Sequence, residues 1–254
     1  MLDHTRITRL VLGAAALAAL TGFIQGSAAP ATLPFGPGES LVYRVSAGRL
    51  GRVGRGVLRV EGPERMDDQS VLLLSFDVRT RIGLVVGVDS TRSWLDPQRM
   101  ESLRFYKRER NPLTKSLQDV RIFPAERRWQ AADGEAGTTC TDTPLDELSF
   151  LYFIRTLPLR PGDAYSLDRH FQAGRNPVDI RVLRREPLTV PAGTFQTIAV
   201  EMRVKDPQHY GGEGVILVWL SDDDARVPVR IESAVPVLGR AVLSLEERSP
   251  GAAP

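Results

Sequence analysis

The sequence predicts a mainly β fold: a curved antiparallel sheet forming a half-open barrel, with one short apolar helix near residues 144–157. Three observations carry that prediction. Apolar and polar residues alternate in twelve short segments, the period-2 mark of half-buried strands. Turn-forming clusters separate them, among them Pro161-Gly162-Asp163, Pro191-Ala192-Gly193, Gly211-Gly212 and Asp222-Asp223-Asp224. A helical pattern occurs in one place only, and strands that follow one another without helices curl into a barrel or sandwich.

The N-terminus comes first. Arg6 and Arg9 face one Asp3 within the first nine residues, and residues 10–24 (LVLGAAALAALTGFI) are apolar or small. Gly26, Ser27 and Ala28 follow. A basic flank, a short apolar run and small residues read as a secretory signal peptide, cleaved after Ala28 and directing the chain to the periplasm. The run is shorter than the roughly 20 residues of a membrane-spanning helix. No cysteine follows it, which argues against a lipid anchor. The expected plan is residues 1–28 as signal peptide, 29–248 as one antiparallel β domain and 249–254 (SPGAAP) as a flexible tail. Residues 30–38 (PATLPFGPG) read as a loose approach to the first strand.

Cleavage leaves 254 − 28 = 226 residues, with 31 basic and 30 acidic side chains. That balance speaks against a nucleic-acid partner. Cys140 is the single cysteine. It forms no intramolecular disulfide, so a hydrophobic core must hold the domain together.

The strands are expected at residues 41–45, 53–60, 71–80, 90–95, 102–110 and 120–123, then at 164–171, 178–184, 194–205, 215–221, 227–235 and 241–246. In the third, Leu72, Leu74, Phe76 and Val78 share a face. The helix is expected to start with Thr143 as N-cap, Pro144 at the first helical position and Asp146 answering the cap, and to stop at Leu157-Pro158. Its apolar residues surround the axis, which means deep burial or cover over a cavity. Trp94-Leu95-Asp96 is echoed by Trp219-Leu220-Ser221-Asp222, each at a strand end before a polar turn.

Four segments resemble the domain-of-unknown-function family 3108. They are residues 38–43 (GESLVY), residues 144–149 (PLDELS) with Tyr152 and residues 155–159 (RTLPL), residues 190–195 (VPAGTF) and residues 219–232 (WLSDDDARVPVRIE). The resemblance implies an exported envelope protein of Gram-negative-type bacteria without an agreed activity. The stretch around Trp219 and Pro228 is also similar to periplasmic lipoprotein carriers of the LolA/LolB type. That similarity implies a half-open barrel with helices against its concave side, holding acyl chains.

Catalysis has little support. The mature chain has only His170, placed on a strand, and His209, placed in a turn, and no nucleophile elbow accompanies them. No metal spacing is present, and residues 222–224 lack the glycine and distant glutamate of a calcium loop. Neither a catalytic residue nor a cofactor is expected. Arg44, Arg49, Arg52, Arg55 and Arg59 read either as the polar face of the first hairpin or as a dock for anionic groups.

The expected function is a non-enzymatic periplasmic carrier of a lipid, an acyl chain or an apolar protein segment. Its lining would be Leu148, Phe150, Leu151, Phe153 and Ile154 from the helix, with Leu84 and Val86 from the two-faced apolar run 82–88. The alternative is an assembly factor with a solid core that docks on another envelope protein. Trp94, Trp219, Asp222, Pro228 and Arg230 are assigned to folding.

Overall fold

The structure is a computed structural model and describes residues 33–110, 115–206, 212–235 and 239–252. The signal-peptide segment 1–28 and His209 lie outside the described residues. Fourteen strands occur among those described: β1 (Ser40–Ala47), β2 (Arg52–Met66), β3 (Gln69–Ile82), β4 (Val85–Asp96), β5 (Glu101–Arg110), β6 (Lys115–Phe123), β7 (Arg128–Ala131) and β8 (Ala136–Thr138), then β9 (Ala164–Leu167), β10 (Val178–Val190), β11 (Gly193–Asp206), β12 (Gly212–Ser221), β13 (Pro228–Val235) and β14 (Gly239–Ser249). A helix, α1 (Glu147–Phe153), and a 3-10 turn (Ile154–Thr156) lie between β8 and β9.

All strands form one antiparallel sheet in the order β8-β7-β6-β5-β4-β3-β2-β1-β14-β13-β12-β11-β10-β9. Chain neighbours pair by hairpins, and the first and last strands meet in the middle, from Ser40↔Ser249 to Ala47↔Ala241. The alternation read from the sequence sets the faces: β1 buries Leu41, Tyr43 and Val45, and β3 buries Leu72 and Leu74 beside half-buried Phe76 and Val78. The sheet does not close into a barrel. Its edges, β8 and β9, are only three and four residues long, so little strand is left open to pairing with another chain. Between them, the segment before α1 joins two distant parts. Ser102 N donates to Pro144 O (2.8 Å), Leu145 N to Arg169 O (2.6 Å) and Phe171 N to Leu145 O (2.9 Å).

Several elements differ from expectation for identifiable reasons. β7 and β8 are too short to show alternation. Trp129 of β7 nonetheless anchors a small second core with Phe105, Val120, Ile122 and Phe171. The strand expected over 164–171 stops at Leu167. Beyond it, His170 makes a parallel bridge to Leu145, and the Asn176 side chain takes both its N–H (2.8 Å) and its carbonyl (2.9 Å). The approach to β1 is packed rather than loose, with Phe35 buried in the main core. Ser249 still pairs in β14, and Ala252 N donates to Pro37 O at 2.8 Å, so the chain is held to residue 252. A Cβ on Gly251 would lie 2.2 Å from Gly36 O, so this crossing needs a glycine. The apolar run 82–88 is a hairpin, because Gly83 (φ +61) turns the chain between β3 and β4.

Candidate functional site

Helix α1 begins three residues later than the sequence predicts. Pro144 and Leu145 are engaged as extended chain, so the cap falls to Asp146 (φ −100, ψ −179). Its Oδ1 accepts from Leu148 N and Ser149 N, both at 2.9 Å, and Ser149 Oγ accepts from Asp146 N at 2.8 Å. This reciprocal cap satisfies the orphan donors of the first turn. The second carboxylate oxygen, Oδ2, accepts from Ser93 Oγ (2.5 Å), while Ser102 Oγ donates to Ser149 Oγ (2.8 Å). Asp146, Ser93, Ser102 and Ser149 are all fully buried. Burial pushes the Asp146 carboxyl up to about 6, against the pull of its hydrogen bonds.

Beside this cap lies a chain of charges. Glu147 pairs with Lys107 Nζ (3.3 Å) and with Arg175, and Lys107 also reaches Glu109 (3.2 Å). Burial works against the Glu147 charge, but Lys107 and Arg175 outweigh it and hold the carboxyl at about 2. The same pairing raises Lys107 above its ordinary value despite burial. Asp89 is raised by burial and by Glu109. His170 adds its field to Glu147, stacks between Phe150 and Phe171, and accepts from Gln172 N (3.1 Å) through Nδ1. Acid, base and hydroxyl thus come together, a grouping that sequence spacing alone does not show. The imidazole is 1 % exposed, however, and the hydroxyls nearest the carboxylate are engaged in the cap. This geometry orders a helix start.

Asp146→Asn tests that assignment. Asparagine caps as well as aspartate and keeps an oxygen for the two N–H groups. A folded-state value above the ordinary 3.8 means that the folded chain holds a proton the unfolded chain has lost between about pH 4 and 6. The Asp146 contribution is therefore complete below that window and declines as pH rises through it. We expect Asp146→Asn to gain on the parent by on the order of 2 kcal/mol between pH 4 and 7 in urea unfolding. A pH-independent difference would show that the carboxyl is not raised.

At the other end of the helix, Arg155 in the 3-10 turn is buried to 2 %. Its guanidinium donates to both oxygens of Glu39 (2.8 and 2.7 Å) and to the carbonyls of Pro34 (2.8 Å) and Ala225 (2.9 Å). It also stacks over the rings of Phe35 (5.1 Å) and Tyr152 (5.3 Å). Nearby, Tyr43 donates to Pro228 O at 2.7 Å. Three of the segments singled out in the sequence, around residues 38–43, 144–159 and 219–232, therefore meet at one ion pair. The fourth runs alongside: Ala192 N donates to Leu245 O (3.0 Å).

The structure separates the residues predicted to line a pocket. Leu148, Phe150, Phe153 and Ile154 are buried, and half-buried Leu151 packs against the same core, with Leu41, Leu58, Leu74 and Ile198 among the residues they join. Leu84 is 98 % exposed in the β3–β4 turn, and Val86 lies on the outer face opposite Arg81. The Ser93 that meets the helix cap is 93 − 84 = 9 residues along β4 from Leu84, about 30 Å of extended chain. Two shallow clefts indent the described surface elsewhere. One, of about 230 Å³, lies against β9 and β10 at Tyr165 and Ile180, and one of about 460 Å³ lies between β5 and β6 at Arg108, Lys115 and Leu117. Neither is lined by α1.

The residues assigned to folding behave as packing and turn elements. Trp219 Nε1 donates to Glu186 (2.7 Å), and Asp222 pairs with Arg185 (2.7 Å). Asp223 holds the turn by accepting from Ser221 Oγ (2.6 Å) and Arg226 N (3.1 Å). The echo between the two tryptophans extends to their geometry. Trp94 lies under Arg104 at 4.8 Å and Trp219 under Arg230 at 5.5 Å, each arginine being the register partner on the next strand. In both, the register shifts immediately after the tryptophan. The arginines of the first hairpin face outward. Arg44 and Arg52 share Glu246, Arg55 reaches Glu247 and Arg59 reaches Asp77.

Comparison with known proteins places the chain in context. The family model described as "Protein of unknown function (DUF3108)" matches residues 42–246. No curated protein sequence matches. A beta-barrel-like protein of the domain of unknown function DUF1849 from Brucella abortus shares the fold at TM-score 0.58 and 10% identity, over 86% of this chain and 99% of that one. Two further structures are similar at TM-score 0.35. One, described as exported with a YmcC-like fold, comes from Bacteroides fragilis (15% identity, 86% and 98% covered), and one, described as a lipoprotein, from Parabacteroides distasonis (14%, 86% and 99%).

Proposed function

The chain belongs to the family of proteins of unknown function DUF3108, and from that premise we propose that it is a non-catalytic scaffold of the bacterial envelope, acting through its outer surface rather than through an interior pocket. One observation carries this reading. The helix that would have to line or cover a cavity has its apolar side chains packed into the sheet, with Ile154 fully buried and Phe150 at 2 %. Its polar ends are turned inward too, Asp146 to the serines of β4 and β5 and Arg155 to Glu39. A lid that opened would have to break both sets of contacts and expose the apolar side chains to water. The envelope assignment rests on the basic, apolar and small-residue pattern of residues 1–28.

Native mass spectrometry of protein purified gently from the periplasm, followed by organic extraction, tests the reading. The expected result is the mass of the bare polypeptide and an extract without stoichiometric lipid. A lipid-sized adduct retained one-to-one through gel filtration would overturn it and restore a carrier of hydrophobic ligands.

A further inference from the structure

Six large hydrophobic side chains stand exposed among the described residues, and five gather at one end of the sheet. Leu50 (55 % exposed) lies in the β1–β2 connection, Leu84 (98 %) and Val85 (47 %) form the β3–β4 tip, and Val88 (39 %) and Leu117 (63 %) flank it on β4 and β6. The hairpin registers place these tips side by side, through Gly54↔Thr80, Thr80↔Gly87 and Val88↔Arg110.

The same registers align a row of cations across six strands of the outer face: Arg44↔Arg55↔Arg79↔Val88↔Arg110↔Lys115. At strand spacing the row is about 24 Å long. Like charges directly opposite one another destabilise a sheet, and here they are adjacent at Arg44↔Arg55↔Arg79 and at Arg110↔Lys115. Glu246 and Glu247 offset the first two arginines. Among the described residues, no carboxylate pairs with Arg79, Arg110 or Lys115, and the neighbouring Arg81 and Arg108 are likewise without one. The whole chain carries a formal charge of only +2, so this face is a local concentration.

We propose that this end of the sheet docks on the surface of an anionic phospholipid bilayer, the aliphatic tips entering the headgroup boundary and the basic row lying against lipid phosphates. The proposal rests on the reading that the outer surface carries the function. Charge complementarity selects an anionic partner, and relief of the like-charge row gives the contact a driving force. The form of the apolar part selects a bilayer over an acidic protein. Arginine is common to both kinds of contact, but the apolar part of a protein interface is marked by aromatic side chains and methionine. Here the exposed hydrophobics are leucine and valine, Leu50, Leu84 and Val85 at two strand connections and Val88 and Leu117 on the strands beside them, a spread that a fluid surface accepts without a complementary groove.

Flotation of the purified protein with vesicles tests this, using phosphatidylethanolamine with 30 % phosphatidylglycerol against pure phosphatidylcholine. The expected result is binding to the anionic vesicles that weakens steeply as salt is raised, with little binding to phosphatidylcholine. Leu84→Asp and the double variant Arg79→Glu/Arg81→Glu, all at exposed positions outside the core, should each weaken binding by at least about tenfold without lowering the melting temperature. Absence of binding to anionic vesicles at low salt, equal binding to both compositions, or binding indifferent to both variants would overturn the proposal. Vesicle binding reports on the outer face and retained lipid on the interior. A bare polypeptide mass without flotation therefore sinks this inference alone, while a retained lipid sinks the scaffold reading.

Discussion

Arg155→Met is expected to destabilise the folded chain by about 3–5 kcal/mol, because it leaves Glu39 charged, 4 % exposed and without its partner. In a domain of this size that corresponds to a fall in melting temperature of roughly 10 °C. The cost exceeds that of a surface ion pair because the guanidinium serves four acceptors: both Glu39 oxygens and the carbonyls of Pro34 and Ala225. Arg155→Lys should rescue little, since an ammonium cannot present the planar fork that reaches them together. Glu39→Gln alone should destabilise as well. Combined with Arg155→Met it should recover part of the loss by removing the stranded charge, while the two carbonyls keep recovery incomplete. Urea unfolding of the four proteins gives the coupling directly. A loss below about 1 kcal/mol for Arg155→Met would mean that the ion pair is not what joins the β1 approach, the helix end and the β12–β13 turn.

The strand faces and the place of the helix were legible because each depends on a short-range pattern. Alternation in residues 41–45 and 71–80 fixed the inward faces of β1 and β3, and the apolar run ending at Pro158 located α1. What escaped depends on distance along the chain. Arg155, a lone cation in an apolar stretch, announces that a partner must exist. Glu39, 116 positions away, cannot be picked out from the other acids without the fold. The Ser93–Asp146 contact spans 53 positions and escaped for the same reason. The helix start was misplaced because Thr143-Pro144 and Asp146 both carry cap chemistry. Tertiary hydrogen bonds to Pro144 and Leu145 decided between them. The run 82–88 is legible as apolar on both faces, yet that pattern does not show that Gly83 is a turn that puts Leu84 in solvent. A helix apolar on every side is compatible with a packed core or a cavity lining, and periodicity alone does not distinguish them.

Truncating Phe150 separates those two alternatives by energy. In the structure its ring lies parallel to His170 at 6.4 Å and edge-on to Phe153 at 6.3 Å, within the main core. Phe150→Ala should cost about 3–5 kcal/mol in the ligand-free protein, from lost burial and the cavity left behind. Leu84→Ala, at a site 98 % exposed, should change stability by less than about 0.5 kcal/mol. A lid over a ligand cavity predicts the opposite for Phe150. Its removal would leave the empty protein nearly as stable as the parent, and the loss would emerge only when ligand is present. Thermal and urea unfolding of both variants, each after organic extraction, decide the matter. If Phe150→Ala unfolds with the parent, the helix is not part of the core, and residues 148–154 return as candidates for contact with a hydrophobic ligand. If it loses several kcal/mol while Leu84→Ala loses none, the two apolar sets belong to different tasks, one to the interior of the sheet and the other to its outer end.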